Sequence, residues 1–182
     1  MRFYQSAVRG SDAGQIFVFP VLHSTQMPPS PSPEDLLESM GIALPAPPAA
    51  GGNYVSAKRA GSILYLSGVV SASPSGVIAG TAGLDRSVED GYAAARACAL
   101  TQLAIIRREL GSLSRVAEVL TVNGYVAAAP GFAHSPAVIN GASDLLVQLF
   151  GESGRHVRAA IGVSALPRNA LVELQMTVRI AE

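Results

Sequence analysis

Ala170, Val172, Leu174, Met176, Val178 and Ile180 fill every second position of one unbroken run near the end of the chain. Between them stand Leu171, Glu173, Gln175, Thr177 and Arg179. A period of two over that length is a strand with one face buried and one face set apart. A strand face this apolar needs a second layer to cover it, so the rest of the chain must supply one. Just upstream, Val157, Ala159, Ile161 and Val163 repeat the pattern, leaving Arg158, Ala160, Gly162 and Ser164 on the other parity. Leu166 to Asn169, with Pro167, reads as a turn between the two runs. The pattern predicts a C-terminal hairpin over roughly 156 to 181.

The covering layer is visible in two helical periods. Val88, Tyr92, Ala95, Ala99, Leu103, Ile106 and Leu110 step by three or four residues, with Ser87 as a cap and Gly111 after the end. Ser135-Pro136 opens a second helix that carries Val138, Ile139, Ala142, Leu145, Leu146, Leu149 and Phe150, with Gly151 after it. "NYVSAKRAGSILYLSGVV" reads as a hairpin turning at Ala60-Gly61-Ser62, "SASPSGVIAGTAG" as a loop, and "RVAEVLTVNGYVAAA" as a third strand. The order ββαβαββ predicts an α+β domain with two helices on one face of a single sheet, joined by right-handed crossovers. The other sheet face is then bare, which favours self-association.

Upstream, "PPSPSPEDLLESMGI" predicts a short helix near 33–40, with Ser32 as cap, Pro33 in the first turn, and Glu34 and Asp35 at the positive end. "LPAPPAAGG" follows as a proline-rich linker. Residues 1 to 43 are therefore expected to form an N-terminal extension, and 44 to 182 the compact domain. Residues 1 to 26 have no clear period, Met27 offers a second start, and the apolar "QIFVFPVL" lacks the pattern of a signal peptide.

The chain has 182 residues, 49% of them hydrophobic and 14% charged, with a formal net charge of +0. So few charges on so apolar a chain again point to an oligomer. The balance argues against nucleic acid and against an anionic membrane surface. No run is long enough to span a bilayer. The one cysteine, Cys98, falls beside the apolar helix stripe and reads as a core residue in a reducing, cytoplasmic setting. His23, His134 and His156 lack metal-ligand spacing, and there is no phosphate-binding loop, dinucleotide fingerprint or serine elbow. The expected chemistry needs no metal, cofactor or covalent nucleophile.

Arg158 and Glu173 stand outside the apolar stripes. In the predicted hairpin Glu173 pairs opposite Gly162 and Arg158 opposite Thr177, and all four lie on the bare face. They are either two solvated charges or a site for a small ligand. Four residues of strand is about 13 Å, so the two converge on one small molecule only if different subunits supply them.

These stretches resemble a known family. "GNYVSAKRAGSILYLSG", "NGYV", "VINGASDLL" and "VRAAIGVSALPRNALVELQ" are similar to the RidA family, also called YjgF or L-PSP endoribonuclease-like. The signature is an arginine three residues before Ile161, then Val163 and Leu166-Pro167, followed by a strand containing Val172-Glu173. The resemblance runs from about Leu44 to the C-terminus. It implies a chorismate-mutase-like fold, a homotrimer with clefts between subunits, and hydrolysis of 2-imino and 2-enamino acids to 2-oxo acids and ammonia. Matched position by position, it makes Arg158 the grip on the substrate carboxylate and Glu173 the residue that orients the attacking water. Tyr54, Ser67, Gly68 and Asn140 match cleft-lining positions, and Ala160 one whose backbone meets the substrate. Ala160, Gly162 and Val69 stand where the family often has cysteine, glutamate and glutamine, which puts substrate identity in doubt and suggests a subfamily distinct from the best-studied deaminases.

Three functions follow as expectations. The first is a hydrolase similar to 2-iminobutanoate/2-iminopropanoate deaminases. The second is a non-catalytic trimer that binds a small carboxylate or acts as a regulatory or chaperone-like surface. The third is an endoribonuclease, against which the neutral charge speaks.

Overall fold

The computed structural model describes residues 30–181. The expectations for residues 1 to 26 lie outside the described residues. The elements, in chain order, are α1 (Pro33–Ser39), β1 (Ala57–Ala60), β2 (Ile63–Leu66), β3 (Val69–Val70), β4 (Ala72–Ser73), β5 (Gly76–Val77), α2 (Val88–Leu110), β6 (Val116–Ala127), α3 (Ser135–Phe150), β7 (Val157–Val163) and β8 (Val172–Ile180).

Local signals set the helix ends. Ser87 and Asp90 form a reciprocal capping box, with Asp90 N donating to Ser87 Oγ at 3.1 Å and Ser87 N donating to the Asp90 carboxylate at 3.0 Å. Ser32 and Asp35 do the same for α1. The compact unit begins at Pro31, upstream of the boundary near Leu44 that the linker suggests. Its helix α1 buries Leu37, and Glu34 accepts from Ser112 Oγ at 2.9 Å and from the Leu113 amide, which ties α1 to the turn after α2.

The main sheet is mixed, in the order β1-β2-β8-β6-β7, with β3 also paired to β8; β4 and β5 form a separate ribbon. Val172, Leu174, Met176, Val178 and Ile180 of β8 are all buried beneath the helices. Helices α2 and α3 lie against each other on that face. Gly141 lets them approach, because a Cβ there would strike the backbone carbonyl of Tyr92.

The predicted C-terminal hairpin does not form. β6 lies between β7 and β8, parallel to β7 and antiparallel to β8. The connection over 164–171 passes the end of β6 instead of folding one strand onto the other. Glu173 therefore pairs with Tyr125 and Val70, not Gly162, and Arg158 pairs with Val122, not Thr177. The parity of β7 is also the reverse of the predicted one. Val122 and Val126 are fully buried under α3, so their partners Arg158 and Gly162 share the helix side. Val157 and Ile161 turn to the uncovered face, where they are 70% and 50% exposed. Space is tight on the helix side: α3 sits so close to β6 that a Cβ at Gly124 would collide with Ile139, and the neighbouring positions of β7 are the small Ala160 and Gly162.

Candidate functional site

The register places Arg158 and Glu173 on opposite sides of the sheet. Arg158 reaches toward α3 and Glu173 toward the uncovered face. Three residues of strand and two strand spacings separate them, so their Cα atoms lie about 14 Å apart. The strand arithmetic that kept the two from converging within one chain holds, but their predicted common face does not.

On the helix side, Arg158 is exposed at the rim of α3. Its Nη1 donates to Asn140 Oδ1 at 2.8 Å and to Ser143 Oγ at 3.0 Å, and its Nη2 donates to the Pro136 carbonyl at 3.4 Å. A guanidinium has five N–H donors, so Nε–H and one Nη2–H keep no protein acceptor among the described residues. Donors side by side in this way can take a carboxylate. Ala160 lies two residues on, half-buried against the core. Arg158, Asn140 and Ala160 thus belong to one cluster.

The cluster contains two residues that the sequence reading did not single out as partners. Ser143 Oγ stands 3.0 Å from His156 Nε2, and His156 Nδ1 stands 2.7 Å from the Gly154 carbonyl. Burial holds the imidazole below its ordinary value, and the charge of Arg158 adds to this, while the bond to Gly154 opposes it. The signal was available: Asn140 and Ser143 are three apart on a helix, and His156 stands just before β7, two residues from Arg158.

On the uncovered side, Glu173 is half-buried with no hydrogen-bond or ion-pair partner among the described residues. Burial raises its carboxyl above the ordinary range. Its Oε1 lies over Gly68, where any Cβ would collide with it. Ser67 donates through Oγ to the Val55 carbonyl at 2.7 Å. Gln102, fully buried on α2, donates from Nε2 to the carbonyls of Ser67 at 3.0 Å and Leu174 at 2.8 Å. It thereby clamps the Ser67-Gly68 break to the strand that carries Glu173, a role that a glutamine within an apolar helix pattern does not announce. Tyr54 is exposed, with its hydroxyl accepting from the Gly51 amide of its own loop at 3.2 Å.

The seven candidates therefore fall into a helix-side group of Arg158, Asn140 and Ala160 and a second group of Glu173, Gly68, Ser67 and, through the adjoining loop, Tyr54. A cavity of about 370 Å³ beside Arg86 and Ser164, and one of about 410 Å³ beside Glu34 and Arg107, contain none of them. Among the described residues no cluster of His, Cys, Asp and Glu could hold a metal ion, and no helix is long and apolar enough to cross a membrane.

A mixed sheet with two helices on one face is the α+β arrangement of the chorismate-mutase-like class. The profile of the YjgF/chorismate mutase-like family of candidate endoribonucleases matches residues 34–180, and the chain belongs to that family. It is 42% identical over 146 residues to Protein TCP17 of Trypanosoma cruzi, covering 79% of this chain and 91% of that one. Among solved structures it is similar to Atu1372 of Agrobacterium tumefaciens, a protein of unknown function (39% identity, TM-score 0.75, covering 82% and 94% of the two chains). It is also similar to a candidate endoribonuclease of Shewanella oneidensis (33%, TM-score 0.78, 82% and 99%) and to the RidA protein of an Antarctic Psychrobacter (26%, TM-score 0.51, 73% and 93%).

Proposed function

We propose that the protein hydrolyses reactive 2-imino and 2-enamino acids to 2-oxo acids and ammonia, at clefts between subunits of a homotrimer. Arg158 of one subunit grips the substrate carboxylate through its free fork. Glu173 of a neighbouring subunit takes a proton from water as the oxygen adds to the imine carbon. Glu173 then passes that proton to the nitrogen, the C–N bond breaks to release ammonia, and the hydroxyl left on carbon gives up its proton as the carbonyl forms. The overall balance is imine plus water to 2-oxo acid plus ammonia.

The observation that carries this reading is the state of Glu173. A half-buried carboxylate without a protein partner, held over a glycine and raised in pKa, is a base nearer its working pH than a solvated one. The uncovered face supports the assembly: Tyr65, Val157 and Ile161 are large apolar side chains at least half exposed on it. A non-catalytic carboxylate binder is the second reading, favoured by Ala160 and Gly162, which add no polar side chain beside Arg158. A net charge of +0 disfavours the ribonuclease reading.

The test generates imines of several amino acids in situ and follows 2-oxo acid release. Acceleration that Arg158→Ala abolishes supports the hydrolase. Binding of the product acid without acceleration of any imine sinks it in favour of the binder. Light scattering reads the assembly, and a stable monomer contradicts it.

A further inference from the structure

The hydrogen bonds behind Arg158 run in one direction. The Gly154 carbonyl can only accept, so His156 Nδ1 must carry the ring proton of the neutral imidazole. Its Nε2 is then a lone pair, and Ser143 must donate its hydroxyl to it. The hydroxyl oxygen is left to accept from Arg158 Nη1. Every donor in the chain from Arg158 through Ser143 and His156 to Gly154 has one acceptor.

Protonating His156 breaks that order. Nε2 becomes a donor aimed at Ser143 Oγ, which then receives two donors, and its own hydrogen must turn away. Two cations also face each other across one hydroxyl. Among the described residues no carboxylate hydrogen-bonds or ion-pairs with His156 or Arg158. Asp144 on α3 is engaged by the Tyr92 hydroxyl at 2.9 Å, and Glu152 on the turn before β7 is paired with Arg155 at 3.0 Å. The stretch of β6 beside the ring, Leu120–Val122, contributes no ionisable group.

We propose that Ser143 and His156 are positioning residues that set the Arg158 fork and couple carboxylate binding to proton uptake at His156. This rests on the reading of Arg158 as the carboxylate grip. An anion on the fork offsets the repulsion, so the bound state takes up the proton more readily, and by linkage affinity rises as pH falls through the His156 transition. The carboxylate would sit roughly 7 Å from the imidazole, where a unit charge in a water-rich dielectric shifts an equilibrium about three- to eightfold.

Calorimetric titration of the full chain with pyruvate, from pH 5.5 to 8.5, tests the coupling. Wild type should bind about three- to eightfold more tightly at the acid end, and His156→Gln should lose most of that slope, with only the part due to Glu173 of the neighbouring subunit left. Ser143→Ala should weaken binding and flatten the profile, and Ser143→Thr should restore both. An unchanged slope in His156→Gln overturns the coupling. Failure of wild type to bind pyruvate at any pH overturns the carboxylate grip itself, and the coupling with it. The relay is read separately by NMR titration of His156 without ligand. Arg158→Gln should raise its midpoint, and an unmoved midpoint overturns the relay.

Discussion

Gly68→Ala should separate folding from catalysis. Gly68 is not in the left-handed region, so alanine is compatible with its backbone. The three atoms nearest the added Cβ all belong to the Glu173 side chain, and the tightest approach is to the carboxylate at its mobile end. The fold can yield there at little cost, and loss of glycine's unfolded freedom offsets part of it. The carboxylate cannot stay. Restoring an ordinary carbon–oxygen separation displaces it by about 1 Å, a misplacement that can lower a rate about 100-fold. The melting temperature should therefore change by no more than a few degrees, while kcat/KM for imine hydrolysis falls about 100-fold. The assay is coupled 2-oxo acid release beside a thermal melt. Full activity in Gly68→Ala would refute the placement of Glu173 as the base. A large drop in melting temperature would instead make Gly68 a packing residue.

Glu173→Gln should stabilise the protein at neutral pH while removing activity. Burial raises the carboxyl above its ordinary 4.5, so ionisation is disfavoured in the folded chain; wild-type stability falls as pH rises from 4.5 through the raised value and is level above it. Urea melts across that window should show the slope in wild type and not in the variant. Gln102→Met leaves the Ser67 and Leu174 carbonyls without their shared donor, but it also removes the buried Gln102 Oε1, which has no partner. The net loss should be about 2 kcal/mol in urea unfolding. Gly141→Ala drives a Cβ into the rigid Tyr92 backbone carbonyl between α2 and α3 and should cost about 3 kcal/mol or more in the same measurement.

The elements legible in the sequence were those defined by short-range chemistry. The caps at Ser32 and Ser87, the Gly111 and Gly151 ends, the Gly61 turn and the alternation of β8 all act within a few residues, and each lies where the pattern puts it. The pairing of β7 depends on β6, some thirty-five residues upstream, and the short connection before β8 mimics a hairpin turn. Its parity was hidden for a different reason. Periodicity assumes that apolar means covered, yet here Val157 and Ile161 lie on the uncovered face while the small Ala160 and Gly162 lie on the side of α3. Arg158 and Glu173 were visible as charges off the stripes. That they occupy opposite faces was not, because the faces are set by pairing with Val122 and Tyr125.

Opposite faces give the inter-subunit reading a sharp consequence. If each cleft takes its arginine from one chain and its glutamate from the next, Arg158→Ala and Glu173→Gln should be inactive alone and partly active together. In trimers reassembled at random from equal amounts, a cleft works when its arginine comes from the glutamine variant and its glutamate from the alanine variant. The chance is one half for each, so about one quarter of wild-type activity should return. A site built within one chain would return none, because every chain lacks one of the two groups. Refolding the variants together, with each refolded separately as the control, distinguishes the outcomes. Activity at the level of the separate variants would place both groups in a single-chain site or remove one of them from catalysis. A return near one quarter would require both residues and a boundary between subunits.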